Sequence, residues 1–222
     1  MQTFFYLFLG FLDVIAIFAL IFRTFRWPFW EFRLKLTVIG VFISFVSYMN
    51  RMVLDIPQFD IAIQFILFIV FFRYVIRVNV YHAIDVTAIG YLTFMSIQLI
   101  LYYVMKYFQL ITLEDATNPV AAMAFFIQVL SEACSFLVAY LFYRFQLGFS
   151  FMMRPPHNLY LNRTIDLAKR TKMVFNTIGI LTISISVYWL ANHERYFLIL
   201  PALTFLSLAM LIYLSYKRDL QD

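Results

Sequence analysis

Two acidic side chains, Asp13 and Glu132, stand in the middle of long apolar segments. A charge at the centre of a membrane helix costs about 2.5–3.5 kcal/mol, which makes such an acid a candidate functional residue. Each acid is midway along its segment, so the two should lie at a similar depth in a bilayer. If their helices touch, the pair could share a proton, bind a cation or receive the ammonium group of a ligand. The alternative is that each acid is protonated and simply hydrogen-bonds a neighbouring helix.

Other polar residues in apolar segments suit the second, structural interpretation. Amide side chains can join helices by hydrogen bonds in the membrane interior. The sequence offers four of them inside apolar segments: Gln64, Gln98, Gln128 and Asn176.

Arg73 is a third candidate for binding a ligand or an ion. Arg73 and Arg77 are four residues apart, which places them on one face of a helix at the end of an apolar segment. Asp85, which begins the next segment, could pair with either. We interpret both arginines as interfacial anchors, with Arg73 the deeper of the two.

Cysteine and histidine, the residue types that could carry out catalysis or bind a metal, are not spaced in the sequence as either function requires. Cys134 is two residues from Glu132, so the two point to different sides of a helix. The histidines at 82, 157 and 193 are far apart and have no companion cysteines. We therefore predict no catalytic residue, no metal site and no cofactor, and Cys134 is interpreted as a small packing residue.

The elements that carry these residues are long apolar helices. The chain has 222 residues, of which 64% are hydrophobic and only 13% charged. A soluble domain has about 25% charged residues, so this chain has too little polar surface to face water and its solvent must be lipid. The net charge of +5 does not indicate nucleic-acid binding, because the basic residues sit in separate short loops between apolar runs.

The apolar runs predict an all-α, polytopic transmembrane helical bundle with about seven spans. A helix needs about 20 mostly apolar residues to cross the hydrocarbon core. The second run is short and can extend to 32–50 if its flanking basic residues reach the headgroups. One transmembrane domain, 1–222, accounts for the chain, with spans at 4–22, 34–48, 59–76, 83–104, 119–143, 173–190 and 197–216.

The basic residues also predict the orientation, because cytoplasmic loops carry an excess of lysine and arginine. Positive charge alternates with every crossing and marks the first, third and fifth loops. This places the N-terminus outside and the C-terminus in the cytoplasm. The basic residues of the three marked loops are Arg23, Arg26, Arg33 and Lys35, then Arg73 and Arg77, then Arg144, Arg154, Arg163, Lys169, Arg170 and Lys172.

The fifth loop, 144–172, is the longest segment between the predicted spans. After the turn at Pro155 and Pro156, the pattern predicts a short amphipathic helix at the cytoplasmic surface. Its basic residues could anchor the chain to anionic lipid or dock a cytosolic partner, and we favour the anchor. The residues concerned are Arg163, Lys169, Arg170 and Lys172.

Glycine and proline are placed so that the helices should be unbroken. No two of the five glycines have GxxxG spacing, and the six prolines lie in loops or near span ends. Solute transporters often have helices interrupted at the midplane by these residues, so unbroken helices count against that class.

Three stretches together resemble a known family. They show a basic first loop, a short outer loop with a proline, and arginines closing the third span: FRTFRWPFWEFRLK, SYMNRMVLDIPQFDIAIQFIL and FFRYVIRVNVYHAIDVTAIGY. The chain thereby resembles the N-terminal membrane portion of Agr-type peptide-pheromone receptor histidine kinases, and stand-alone membrane proteins of related Gram-positive bacteria. The resemblance covers about the first half of the chain and implies a sensor. The kinase part of those receptors does not follow here, so we expect a sensor without its own output, or a truncated chain.

The sequence leaves three functions to test. The first is a non-enzymatic membrane sensor or accessory protein that responds to a peptide or lipophilic signal and acts through a partner. The second is a small proton- or cation-coupled transporter or channel that uses Asp13 and Glu132. The third is a membrane-embedded enzyme. We expect a bacterial plasma membrane, with membrane lipids and a protein partner or a second copy of the chain as neighbours, and no nucleic acid.

Overall fold

The computed structural model describes residues 2–111, 122–149, 152, 154–156 and 199–219. These residues form helices and turns without a strand, which confirms the all-α prediction for this part of the chain. The predicted sixth span, 173–190, and the amphipathic helix of the fifth loop lie outside the described residues. The α-helices are α1 (Gln2–Thr24), α2 (Arg33–Tyr48), α3 (Pro57–Tyr74), α4 (Val80–Tyr107), α5 (Ala122–Arg144) and α6 (Ile199–Asp219).

Four helical segments of the described chain are long and apolar enough to cross a membrane. They are Thr3–Thr24, Phe29–Val53, Val80–Tyr107 and Ala122–Arg144. The second includes a 3-10 turn, Phe29–Phe32, before α2 and a π-helical segment, Met49–Val53, after it. These segments support a membrane protein, whereas the count of seven spans stays a prediction.

Helices α1 and α4 are the centre of the described bundle. Helix α1 packs against α2, α4 and α5, and α4 also packs against α3, α5 and α6. The core between α1 and α3 is aromatic: the ring of Phe18 lies 4.9 Å from that of Phe68 and 5.4 Å from that of Phe71, measured between centroids. All three side chains are buried. Phenylalanine is abundant in this sequence partly because it fills these interfaces.

Helix α1 approaches α4 closely at Gly90. A Cβ atom added there would lie 2.1 Å from Cγ1 of Ile21 on α1. Small residues let helix backbones approach in this way, which increases the van der Waals contact that drives helix association in lipid. A second close crossing joins α1 and α2, where Ser44 Oγ donates to the carbonyl of Leu7 (2.8 Å).

Several helices end in a residue that has left-handed backbone geometry but is not glycine. After α1, Arg26 has φ 53°, and after α5, Gln146 has φ 53°. The amide of Trp27 then bonds the carbonyl of Phe22 (2.7 Å), and that of Leu147 bonds the carbonyl of Phe142 (3.0 Å). Such bonds satisfy helix-end carbonyls that would otherwise lack a donor. The two helices therefore end in matching, well-defined turns.

Candidate functional site

The structure brings Asp13 and Glu132 together at the contact between α1 and α5. Gln128, one turn before Glu132 on α5, donates from Nε2 to Oδ2 of Asp13 (2.5 Å). The carboxyl groups of Asp13 and Glu132 are close enough to interact with each other. We call Asp13, Gln128 and Glu132 the acid cluster. An ionised carboxylate only accepts hydrogen bonds, so a direct bond between the two carboxyl groups would require a proton on one of them.

The acid cluster lies inside the bundle rather than on its surface. Glu132 is only 3% exposed and Asp13 is half-buried. Neither Oδ1 of Asp13 nor Oε1 of Glu132 has a hydrogen-bond partner among the described residues. The neighbouring Ser131 and Ser135 on α5 are fully buried as well. Each acid therefore keeps one oxygen that can accept a further hydrogen bond.

A second polar cluster, not expected from the sequence, surrounds Asp60. In the sequence, Asp60 stands at the start of the predicted third span, 59–76, close to Arg51 and Asp55 of the preceding loop. In the structure Asp60 lies in the first turn of α3 and is completely buried. It accepts hydrogen bonds from four side chains: Ser47 (2.8 Å), Asn50 (3.2 Å), Arg51 (2.5 Å) and Gln64 (2.8 Å). We call these five residues the Asp60 cluster.

Local structure explains why the donors converge on Asp60. The turn at 54–56 brings α3 back against α2, so that donors from both helices reach the same carboxylate. Asn50 and Arg51 belong to the π-helical segment, a rare conformation that often occurs at functional sites. The sequence signal was spacing: Ser47 and Arg51 are four residues apart, as are Asp60 and Gln64, so each pair shares a helix face. The pairing of those two faces was not readable from the sequence.

Tyr91 extends the Asp60 cluster to a third helix. Its hydroxyl, on α4, donates to Oε1 of Gln64 at 3.4 Å, so the cluster joins α2, α3 and α4. Arg51 interacts electrostatically with both Asp60 and Asp13. The acid cluster and the Asp60 cluster are thus neighbours inside one bundle.

Arg73, the third candidate, belongs to neither cluster. It is half-buried in the last turn of α3, thirteen residues after Asp60 and therefore about 20 Å further along the helix axis. Cys134 is a free, half-buried cysteine on α5. The surface candidates of the fifth loop lie outside the described residues: Arg163, Lys169, Arg170 and Lys172.

The described residues provide buried carboxyl groups and hydrogen-bonding side chains. They contain no group of three histidine, cysteine, aspartate or glutamate side chains that could hold a metal ion. The two clusters fasten five helices, α1 to α5, through buried polar contacts. A scan against protein-family models and searches of the curated proteins and of the solved structures found no match to this chain.

Proposed function

We propose that this chain is a multi-pass sensor or accessory protein of a bacterial plasma membrane, and that it acts through a partner protein. In this proposal about seven helices cross the membrane, with the N-terminus outside and the C-terminus in the cytoplasm. The alternation of basic loops supports this orientation, and the four long apolar helices support the membrane location.

The observation that carries the proposal is the acid cluster within two unbroken helices. Helices α1 and α5 are continuous through Asp13 and Glu132, whereas many transporters break their helices at a midplane site. Buried polar contacts of this kind favour one discrete arrangement of helices over its alternatives. A signal that shifts the bundle between two such arrangements would be transmitted to whatever protein contacts it.

The resemblance to Agr-type receptors supports the same function and suggests the kind of signal. Those receptors receive a secreted peptide at a membrane bundle of this appearance and pass the signal to a kinase. In this proposal the signal is a peptide or another lipophilic compound, and a separate protein supplies the output.

Two measurements test the proposal. The first is mass spectrometry of the protein purified from its host in mild detergent, for which we expect a kinase, a transporter subunit or a secreted peptide in stoichiometric amount. The second is labelling of whole cells with a membrane-impermeant maleimide, in a Cys134→Ser background. A cysteine at Asp55 should react, and one at Trp30, which is 70% exposed, should react only after the cells are opened. Recovery of the protein without any co-purifying molecule would argue against a partner. Labelling of Trp30→Cys in intact cells would show that the predicted orientation is wrong.

The two neighbouring acids, Asp13 and Glu132, support a second candidate, a small proton- or cation-coupled transporter or channel. Buried acids that share a proton are the groups from which membrane proton relays are built. In proteoliposomes with a proton gradient, Asp13→Asn and Glu132→Gln should each abolish a flux that Asp55→Asn, an exposed acid, leaves intact. If the wild-type protein shows no flux and both variants still co-purify with the partner protein, the transporter proposal is wrong and the sensor proposal is supported.

A further inference from the structure

The ends of α1 and α5 form a cleft that the sequence analysis did not anticipate. It has a volume of about 680 Å³ and is lined by four arginines: Arg23, Arg26, Arg144 and Arg154. No aspartate or glutamate lines it among the described residues. We call it the arginine cleft. Four guanidinium groups held this close repel one another, which makes an anion the natural occupant.

Helix dipoles explain only part of this charge. Arg23 and Arg144 lie in the last turns of α1 and α5, where a cation offsets the negative end of the helix. Each helix end carries about half a negative charge, so two ends balance about one of the four arginines. Arg26 and Arg154 lie beyond the last turns of α1 and α5. The cleft therefore keeps an excess of positive charge that a bound anion would neutralise.

The walls of the cleft are fixed by contacts between the two helix ends. The amide of Phe149 donates to the carbonyl of Thr24 (2.7 Å), and Nη2 of Arg26 donates to the carbonyl of Gln146 (2.8 Å). The guanidinium of Arg23 lies 4.2 Å from the centre of the Tyr143 ring, which holds it in place. These contacts orient Arg23 and Arg26 before any ligand arrives, so little ordering entropy of these two side chains remains to be lost on binding.

Trp27 lies in the lining beside the arginines and is 1% exposed, so its buried ring forms a rigid part of the wall. The donors that face a ligand are the guanidinium groups. A guanidinium donates several N–H bonds in a planar fork, which is the geometry that recognises a phosphate.

The surroundings indicate a membrane lipid as the source of that phosphate. Exposed aromatic side chains flank the cleft, with Tyr143 59% exposed and Phe145 66% exposed. Aromatic residues at the ends of membrane helices mark the headgroup level of a bilayer. A phosphate held in the cleft at this depth would leave its acyl chains free to run along the apolar faces of α1 and α5.

We propose that the arginine cleft binds the phosphate of an anionic membrane lipid such as phosphatidylglycerol. This site is separate from both polar clusters and depends on the proposed function only for the side of the membrane, the cytoplasmic one. A soluble phosphate compound offers the same chemistry, and the test below separates the two sources.

The test is titration of the purified full chain with phosphatidylglycerol and with phosphatidylcholine, with bound lipid counted by native mass spectrometry. We expect one phosphatidylglycerol to bind in clear preference to phosphatidylcholine. Arg26→Gln/Arg154→Gln should weaken this binding about 30-fold, since each basic residue near an anionic headgroup contributes about 1 kcal/mol. Arg154→Gln alone, which loses no contact within the described structure, should weaken it about fivefold.

The matched control is Arg33→Gln/Arg77→Gln, which removes two exposed arginines from loops assigned to the same side but outside the cleft. It should bind phosphatidylglycerol as the wild type does. Equal weakening in the control, or no preference over phosphatidylcholine, would overturn the proposal. Displacement of the lipid by inorganic phosphate in the wild type, and not in Arg26→Gln/Arg154→Gln, would support the phosphate site with a soluble source. None of these results depends on a partner or a flux, so the site can fail without the proposed function failing.

Discussion

The Asp60 cluster makes a quantitative prediction about stability, tested by Asp60→Asn. The change removes the negative charge and replaces one carboxylate oxygen by an NH₂ group. The remaining oxygen of the new side chain can still accept hydrogen bonds from some of the four neighbours. The NH₂ group, itself a donor, then faces the donor groups of the others. Arg51 loses its ion-pair partner at 2.5 Å, and Ser47 and Gln64 lose acceptors at 2.8 Å.

The magnitude follows from the burial of the two charges. Removing one partner of a buried ion pair costs about 3–5 kcal/mol, because the other charge is left uncompensated. Asp60 is completely buried, but 36% of the Arg51 side chain is exposed at the end of the bundle. A long side chain in that position can turn its charge towards headgroups or water. We therefore expect the low end of the range, about 3 kcal/mol.

The assay is unfolding of the purified protein in mixed micelles with increasing SDS, with free energies derived from the midpoints. A double variant, Arg51→Gln/Asp60→Asn, removes both charges and should be more stable than Asp60→Asn alone, by about 1–2 kcal/mol. Asp55→Asn is the matched control: it removes an exposed acid from the same turn, and asparagine tolerates the left-handed backbone found there (φ 53°).

Two results would refute the reasoning. If Asp60→Asn is no less stable than Asp55→Asn, the carboxylate is not the acceptor for its four neighbours. If the double variant loses as much stability relative to the wild type as Asp60→Asn and Arg51→Gln lose in sum, Asp60 and Arg51 do not interact.

Two further predictions concern packing. Gly90→Ala should destabilise the bundle by about 1–3 kcal/mol in the same assay, because its Cβ would overlap Ile21. Gly40→Ala should cost less stability, because its Cβ would meet the edge of the Phe11 ring at a longer distance, 3.0 Å. Equal costs for the two variants would contradict the close approach of α1 and α4. Phe18→Ala should lower the free energy of unfolding by about 3 kcal/mol through lost packing. Phe4→Ala, at a site that is 70% exposed, should lower it little. A small effect at Phe18 would mean that the aromatic core between α1 and α3 is loosely packed.

Much of the architecture was readable from the sequence because the signal is local. A run of apolar residues predicts a helix in lipid whatever its neighbours are, and all six described α-helices begin and end within three residues of the predicted segments. The sequence did not predict the π-helical segment that continues α2 to Val53. A π-helical segment forms because of what the turn packs against, so no periodicity in the sequence predicts it.

The candidate site was only half predictable. Acids in the middle of apolar runs identified Asp13 and Glu132, since their cost in lipid is visible residue by residue. Asp60 was not identified from the sequence because it lies near a helix end, where an acidic residue is common and its charge costs little free energy. Its burial depends on four donors supplied by two helices, and the arginine cleft likewise combines the ends of α1 and α5.

The sequence by itself thus determined that the chain is helical, apolar and suited to a membrane, because each of those properties is a sum over neighbouring residues. Tertiary structure alone decided which polar side chains meet. Gln128 reaches Asp13 across 115 positions of sequence, and Arg26 reaches Gln146 across 120. Contacts at that separation depend on how helices pack against one another, and in lipid that packing depends on fine shape, such as the space left by Gly90, rather than on hydropathy.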